Sequence, residues 1–504
     1  MTNTETAAAR SAGKGLMSSA IGLLSSTIIG LAATAPAYSI TATLGFVVIA
    51  VGLHAPAIMF LAFFPMAAIA VGYGQLNRAD PDCGTVFTWA TRAIGPRTGW
   101  LGGWVATLAA VIAMAYLAGI AGSYLFLLFG ATGVAAGHTW TTLAGAALVL
   151  VMTYVCYRGI QLSARLQYLL FGIEAILLIV FSVVALAKVY SGHAPAGSLH
   201  PALAWLSPFG SGGTQAFTTG LLLALFIYWG WDSAVSVNEE TSDRRRNPGR
   251  AAVFSTLVLL GLYMLVSVAA QAYGGAGTKG LGLANLATAP DVLANLGQSV
   301  LGGTLNKLLI LATLSSAIGA LQTGILPTAR TTLAMATYGA LPAPFARMDR
   351  RFATPSVSTL TIGGLTAAVF AGLTYVSQGR VQADSILSIG LLIAFYYGLV
   401  GYTCAWQFRR DLRAGVRALL VKGIMPLFGA LVLSYAFVQS AIQMWQPDYG
   451  YTSFHGIGGV FLLGVGTIVL GAVLMLSYRL VRPGFFLAGR ALPAAPELAG
   501  LAGS

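Results

Sequence analysis

Apolar runs of about twenty residues, separated by short polar connections, fill most of the chain. The first apolar region, about 16 to 51, is too long for one ordinary span of ~20 residues. Its middle reads Gly30-Leu31-Ala32-Ala33-Thr34-Ala35-Pro36. Small residues and a proline that withdraws a backbone donor predict two half-helices joined by an unwound step, with one long proline-kinked helix as the alternative. Further spans are predicted near 55–76, 98–129, 139–156 and 167–187, with a short amphipathic helix in the connection after the second. A sixth span follows a Gly-, Pro-, Ser- and His-rich loop. A seventh starts after Asn247-Pro248, a cap followed by proline at the first helical position. The remaining runs, near 304–334, 356–375, 383–408, 422–445 and 454–478, bring the predicted spans to twelve.

The sixth span places a carboxylate inside an apolar run, Phe226-Ile227-Tyr228-Trp229-Gly230-Trp231-Asp232. An ionisable residue at that depth is tolerated mainly where it faces a water-filled cavity or a partner, which makes it a functional-site hypothesis. Gly230 lets the backbone unwind there if the released N–H and C=O groups line a cavity. The competing reading is an unbroken helix with Asp232 reaching the headgroups. Against it, Asn238-Glu239-Glu240 marks the exit from the membrane, ~9–10 Å further along at ~1.5 Å per residue.

Composition narrows the class. The 504 residues are 57% hydrophobic and 8% charged, with 62 glycines, so this is a polytopic membrane protein and no ordinary soluble domain. The net charge of +13 does not call for nucleic acid. Of the 27 lysines and arginines, all but Lys188, Lys279, Lys307 and Arg380 fall at the termini or in alternate connections. That asymmetry places both termini in the cytoplasm of a multi-pass protein in the cell membrane. Cys83, Cys156 and Cys404 have no disulfide or metal spacing, and the five histidines lie near outer ends or loops, so neither a metal nor a cofactor is expected. No phosphate-binding glycine loop followed by Lys-Ser/Thr is present, which argues against an ATP-driven pump, and no nucleophile has an evident base, which argues against an enzyme. No small-residue cleavage site follows a short apolar core, so no removable signal peptide is read.

The two interrupted spans are five helices apart and therefore cross in opposite directions. Matching interruptions in two halves of opposite topology point to an inverted-repeat transporter with its site at the midplane. The expected division is a tail (1–15), a first repeat (16–187), an outer loop (188–214), a second repeat (215–408), two peripheral helices (409–480) and a second tail (481–504).

Three blocks carry a family resemblance. They are Tyr228-Trp229-Gly230-Trp231-Asp232 with Glu239-Glu240-Thr241 and Asn247-Pro248; Ala329-Arg330 through Met335, Gly339, Leu341-Pro342 and Phe345 to Thr354-Pro355; and Pro81…Gly84-Thr85 with Trp89 before Gly99-Trp100. Over roughly residues 16 to 410 the chain resembles the amino acid–polyamine–organocation permeases. The resemblance implies an all-α fold of five-plus-five inverted helices with two peripheral helices. It also implies alternating-access transport of amino acids, polyamines or similar amines, often with protons. In such permeases the substrate lies between the unwound parts of helices one and six, with backbone N–H groups of helix one on a carboxylate and carbonyls of helix six on an amine. Members that bind an α-amino acid commonly show Gly-Ser-Gly at the first break, where this chain has Gly30-Leu31-Ala32. That departure leaves an amine, a polyamine or another small metabolite open.

The expected substrate site combines Gly30, Ala33, Thr34 and Pro36 with Tyr228, Trp229, Gly230, Trp231 and Asp232, and with Tyr116 and Tyr396. Asp232 and Glu174 are the candidate proton carriers; Glu174 has the alternatives of snorkelling or a structural hydrogen bond. Ser315 and Ser316 are the candidate ion ligands if sodium drives transport, though membrane serines more often bond back to their own helix. Glu239, Glu240 and Arg330 are the candidate cytoplasmic gate, with a solvated charged turn as the alternative. Substrate exchange, a channel or a membrane-bound substrate sensor are the other functions considered, and the sequence leaves oligomeric state open.

Overall fold

A computed structural model describes residues 14–210, 212–490 and 492. It is a helical bundle, and the first apolar region divides as the small residues and proline predict. α1 (Leu23–Ala33) stops at Thr34, and α2 (Pro36–Val51) starts with Pro36 in its first turn, where the missing N–H costs nothing. Between them Ala35 takes a left-handed conformation at φ 46°. A single 3₁₀ turn, Gly52–His54, then leads into α3 (Ala55–Ala79).

A short helix, α4 (Val86–Ala93), lies in the next connection, as expected, and is followed by α5 (Pro96–Leu128), α6 (His138–Tyr157) and α7 (Ile160–Tyr190). α7 begins at Ile160 instead of near Gln167, so Arg165 is an exposed residue of the helix and not part of the turn before it. Long basic side chains lie along an apolar helix and keep the head in water, which removes the need to end the helix there.

The sixth apolar run is broken, as Gly230 predicts. α8 (Thr214–Phe226) ends well before Asp232, an irregular stretch follows, and only one turn, α9 (Ser233–Ser236), resumes the helix. α10 (Asn247–Gly274) has Pro248 in its first turn, but Asn247 is not its cap. Arg246 holds the cap position, and the Asn247 amide donates to the Ser242 carbonyl. The chain continues through α11 (Val292–Leu301), α12 (Asn306–Thr337), α13 (Ser356–Tyr375), α14 (Arg380–Gln407), α15 (Met425–Trp445) and α16 (Gly459–Val481). α16 starts later than its apolar run because Ser453–Phe454 pairs with Ile457–Gly458 in a small antiparallel hairpin; a second one joins Met348–Asp349 to Thr354–Pro355.

Ten helical runs among the described residues are long and apolar enough to cross a membrane. The first, Leu23–Ala79, contains both α1–α2 and α3, and Thr214–Phe226 is a shorter apolar helix beside them. The two broken runs lie antiparallel. Ile21, before α1, forms a bridge with Thr241, after α9, while His54, after α2, bonds through Nδ1 to the carbonyl of Ser207, before α8, at 2.7 Å. α12 and α14 are the most enclosed of the long helices and pack against α5, so the interior of the bundle gathers around the two breaks.

A candidate substrate site between two helix breaks

At the first break the backbone turns back on itself. Thr34 N–H donates to the Leu31 carbonyl at 3.1 Å and Ala35 N–H to Ala32 at 3.1 Å. At the second, Gly230 has φ 119°, a conformation that L side chains rarely adopt, and a Cβ there would lie 2.6 Å from the Ala33 carbonyl oxygen. The breaks therefore touch, backbone to backbone, and glycine is the residue that permits it.

Asp232 sits at the start of α9. Its Oδ1 accepts from the Tyr397 hydroxyl at 2.9 Å and its Oδ2 from the Tyr396 hydroxyl at 3.2 Å. The Trp229 indole donates in turn to Tyr396, and Gly230 N–H donates to Tyr397 at 3.3 Å. Two neutral hydroxyls bond the carboxylate but supply no positive charge to balance it. A cavity of about 70 Å³ opens beside it, with Ala33, Trp229, Gly230, Asp232 and Tyr396 on its walls together with Met114 of α5 and Thr323 of α12.

Other predicted residues serve this site from behind. A Cβ on Gly30 would meet the Ser255 hydroxyl at 2.7 Å, so Gly30 is a close packing point. Thr34 donates its hydroxyl to Leu31, and Tyr228 and Trp231 are fully buried, Tyr228 bonding the Met59 carbonyl at 3.1 Å and Trp231 packing edge-on to Tyr73. Tyr116 lines a different cavity, of about 250 Å³, with Gln382, His138 and Thr374 and without a carboxylate.

Glu174 does not snorkel. It is buried, and its Oε1 accepts the Ala37 N–H at the start of α2 at 2.5 Å. Ser316 accepts the next N–H, from Tyr38, at 3.3 Å, whereas Ser315 donates back to its own helix at Ala312.

Glu239, Glu240 and Arg330, the candidate gate residues, belong to a buried ionic network rather than a solvated turn. Arg330 Nε and Nη2 hold Glu240 at 2.7 and 3.0 Å, both side chains being at most 1% exposed. Glu239 accepts from Lys14 Nζ at 2.5 Å, and Lys14 also bridges to Asp82 at 2.8 Å. Burial works against the charge on both, yet the Lys14 ammonium, the Tyr338 hydroxyl and Gly84 N–H hold the Asp82 carboxyl down at about 2, and the acids around Lys14, Asp82 first, keep its pKa well above the ordinary value. Asp82, Cys83 and Glu239 have the proximity of metal ligands, but the Lys14 ammonium already stands among them. Lys14, Asp82 and Tyr397 escaped sequence reasoning. Lys14 and Asp82 looked like ordinary flanking charges, and their partners lie up to 256 residues away in the chain.

An antiparallel pair of broken helices around a carboxylate-lined cavity defines an inverted-repeat membrane transporter. The chain belongs to the amino acid permease family, whose model matches residues 17–463. It is 22% identical over 432 residues to the branched-chain amino acid permease BcaP of Lactococcus lactis, covering 81% of this chain and 86% of that one. It is likewise 22% identical over 391 residues to the low-affinity putrescine importer PlaP of Escherichia coli, covering 76% and 80%. Among solved structures, MhsT in complex with L-phenylalanine superposes with a TM-score of 0.52 at 15% identity, over 81% of this chain and 98% of that chain. That likeness speaks for the fold alone.

Proposed function

We propose that this transporter is a secondary active permease of the cell membrane, with both termini cytoplasmic, that carries an amino acid or related amine by alternating access and couples it to protons. The observation that carries this reading is Asp232, a carboxylate without a cationic partner, facing a cavity where two broken helices meet. An ammonium is the group that such an acceptor recognises, and relatives named for branched-chain amino acids and for putrescine both handle amines. Proton coupling needs a group that changes charge during the cycle, and Asp232 and Glu174 are the buried acids that reach the two breaks. The ion pairs from Lys14 and Arg330 to the segment after α9 would form the gate on the cytoplasmic side.

The test is uptake of a labelled panel (cationic, neutral and acidic amino acids, putrescine, spermidine) into proteoliposomes with an imposed pH gradient. Saturable, gradient-driven accumulation of one class, abolished by Asp232→Asn, is expected. Accumulation that follows a sodium gradient and ignores the pH gradient would replace the proton with sodium.

A further inference from the structure

We infer that Glu174 fills, from within the protein, the place where a substrate carboxylate would bind, and that the ligand of the cavity is accordingly a small organic amine without a carboxylate. This rests on the amine-transporter reading above and narrows its substrate class.

The inference follows from where the backbone donors of the two breaks go. A helix start attracts anions because its first N–H groups lack intrahelical partners. At the start of α2 those groups are already taken. Pro36 has no N–H; Ala37 N–H donates to Glu174 at 2.5 Å, Tyr38 N–H to the Ser316 hydroxyl at 3.3 Å and Ser39 N–H to the Ala35 carbonyl at 2.8 Å. Just before it, Thr34 and Ala35 N–H close onto Leu31 and Ala32. The Glu174 carboxylate and the Ser316 hydroxyl thus occupy the first two N–H groups of the helix between them.

At the second break most of the backbone donors are likewise taken. Gly230 N–H goes to Tyr397, and the Ser233, Ala234, Val235 and Ser236 N–H groups close on the carbonyls of Gly230, Trp231 and Asp232. Asp232 is also the sole charged side chain on the cavity wall. A zwitterionic amino acid could set its ammonium on Asp232, but its carboxylate would find threonine and serine hydroxyls and no cationic side chain on the wall. Burying a carboxylate without a charged or charge-assisted partner is costly. An amine avoids that cost.

The experiment measures binding to the purified full chain, by the fluorescence of the cavity tryptophan Trp229 and neighbouring indoles, for matched pairs that differ by one carboxylate: cadaverine and lysine, phenethylamine and phenylalanine, isobutylamine and valine. The wild type is expected to bind the amine of at least one pair about tenfold or more tighter than its parent amino acid. Glu174→Ala vacates the helix start and should reverse or erase that preference by strengthening the amino acid. Glu174→Gln keeps an acceptor for Ala37 N–H and should retain it, which separates a filled helix start from a general loss of structure.

Preference of the wild type for the amino acid, or an unchanged ratio in a folded Glu174→Ala protein, would overturn the inference and leave amine transport standing. Binding of no member of any pair, with carboxylate-free and amine-free solutes bound instead, would overturn both. Should Glu174→Ala not fold, the wild-type and Glu174→Gln ratios decide alone.

Discussion

Gly230 and Asp232 are separated by one residue and do opposite things. Gly230 removes a side chain so that the second break can lie against the carbonyl of Ala33, and Asp232 adds a charge in the space that the contact opens. Gly230→Ala must push the Ala33 carbonyl away and also force alanine into a conformation that costs of the order of 1–3 kcal/mol. The expected result is a lowered thermal midpoint in detergent together with loss of substrate binding. A variant with unchanged midpoint and affinity would show that the two breaks do not need this contact. Asp232 was legible in the sequence because a carboxylate in an apolar run demands a reason. Tyr397 was not, although it makes the shorter bond to Asp232, since nothing in the Tyr396-Tyr397 doublet says that both hydroxyls reach the same carboxylate until α14 is packed.

At the scale of elements, the breaks themselves were readable, because proline and glycine act on the backbone locally. Helix ends were less so. The apolar pattern around Arg165 ends in the sequence before the helix does, and Asn247-Pro248 has the letters of a cap without its geometry. The ion pairs that join elements were legible in part: Glu239, Glu240 and Arg330 stood out in the sequence, Lys14 and Asp82 did not. Arg330 and Glu240 are both buried, so removing one leaves the other uncompensated; Arg330→Met or Glu240→Gln alone should lower stability by about 3–5 kcal/mol, and the double variant by less than either. Thermal or denaturant unfolding of the four-member cycle measures this, and additive losses would contradict it.

The Lys14–Asp82 pair belongs to the same scale and has a pH signature. Asp82 is held below its ordinary value, so the pair's stabilisation is full above about pH 4 and is lost as pH falls toward about 2. Lys14 is held above its ordinary value, so the stabilisation persists to about pH 10.5 and is lost beyond it. Lys14→Met should cost stability between those limits and flatten the acid limb of the pH profile; identical wild-type and variant profiles would remove the pair from the account. A tail residue that fastens the segment after α9 also ties the chain's beginning to the second break, 225 residues on.

At the scale of the whole molecule, two of the cavities among the described residues are candidates for the substrate. The larger, about 250 Å³, holds Tyr116 and Gln382 and no carboxylate; the smaller, about 70 Å³, holds Asp232 and both breaks. The antiparallel arrangement of the broken helices was visible in the sequence as two interrupted runs an odd number of spans apart, and the family blocks agree with it. Chemistry favours the smaller of the two, because there an ammonium meets an opposite charge and in the larger it does not. The most direct measurement is a cryo-electron microscopy structure with the transported substrate bound. Ligand density is expected between the two breaks, with a nitrogen about 3 Å from the Asp232 carboxylate. Density against Tyr116 and Gln382, with nothing beside Asp232, would contradict it.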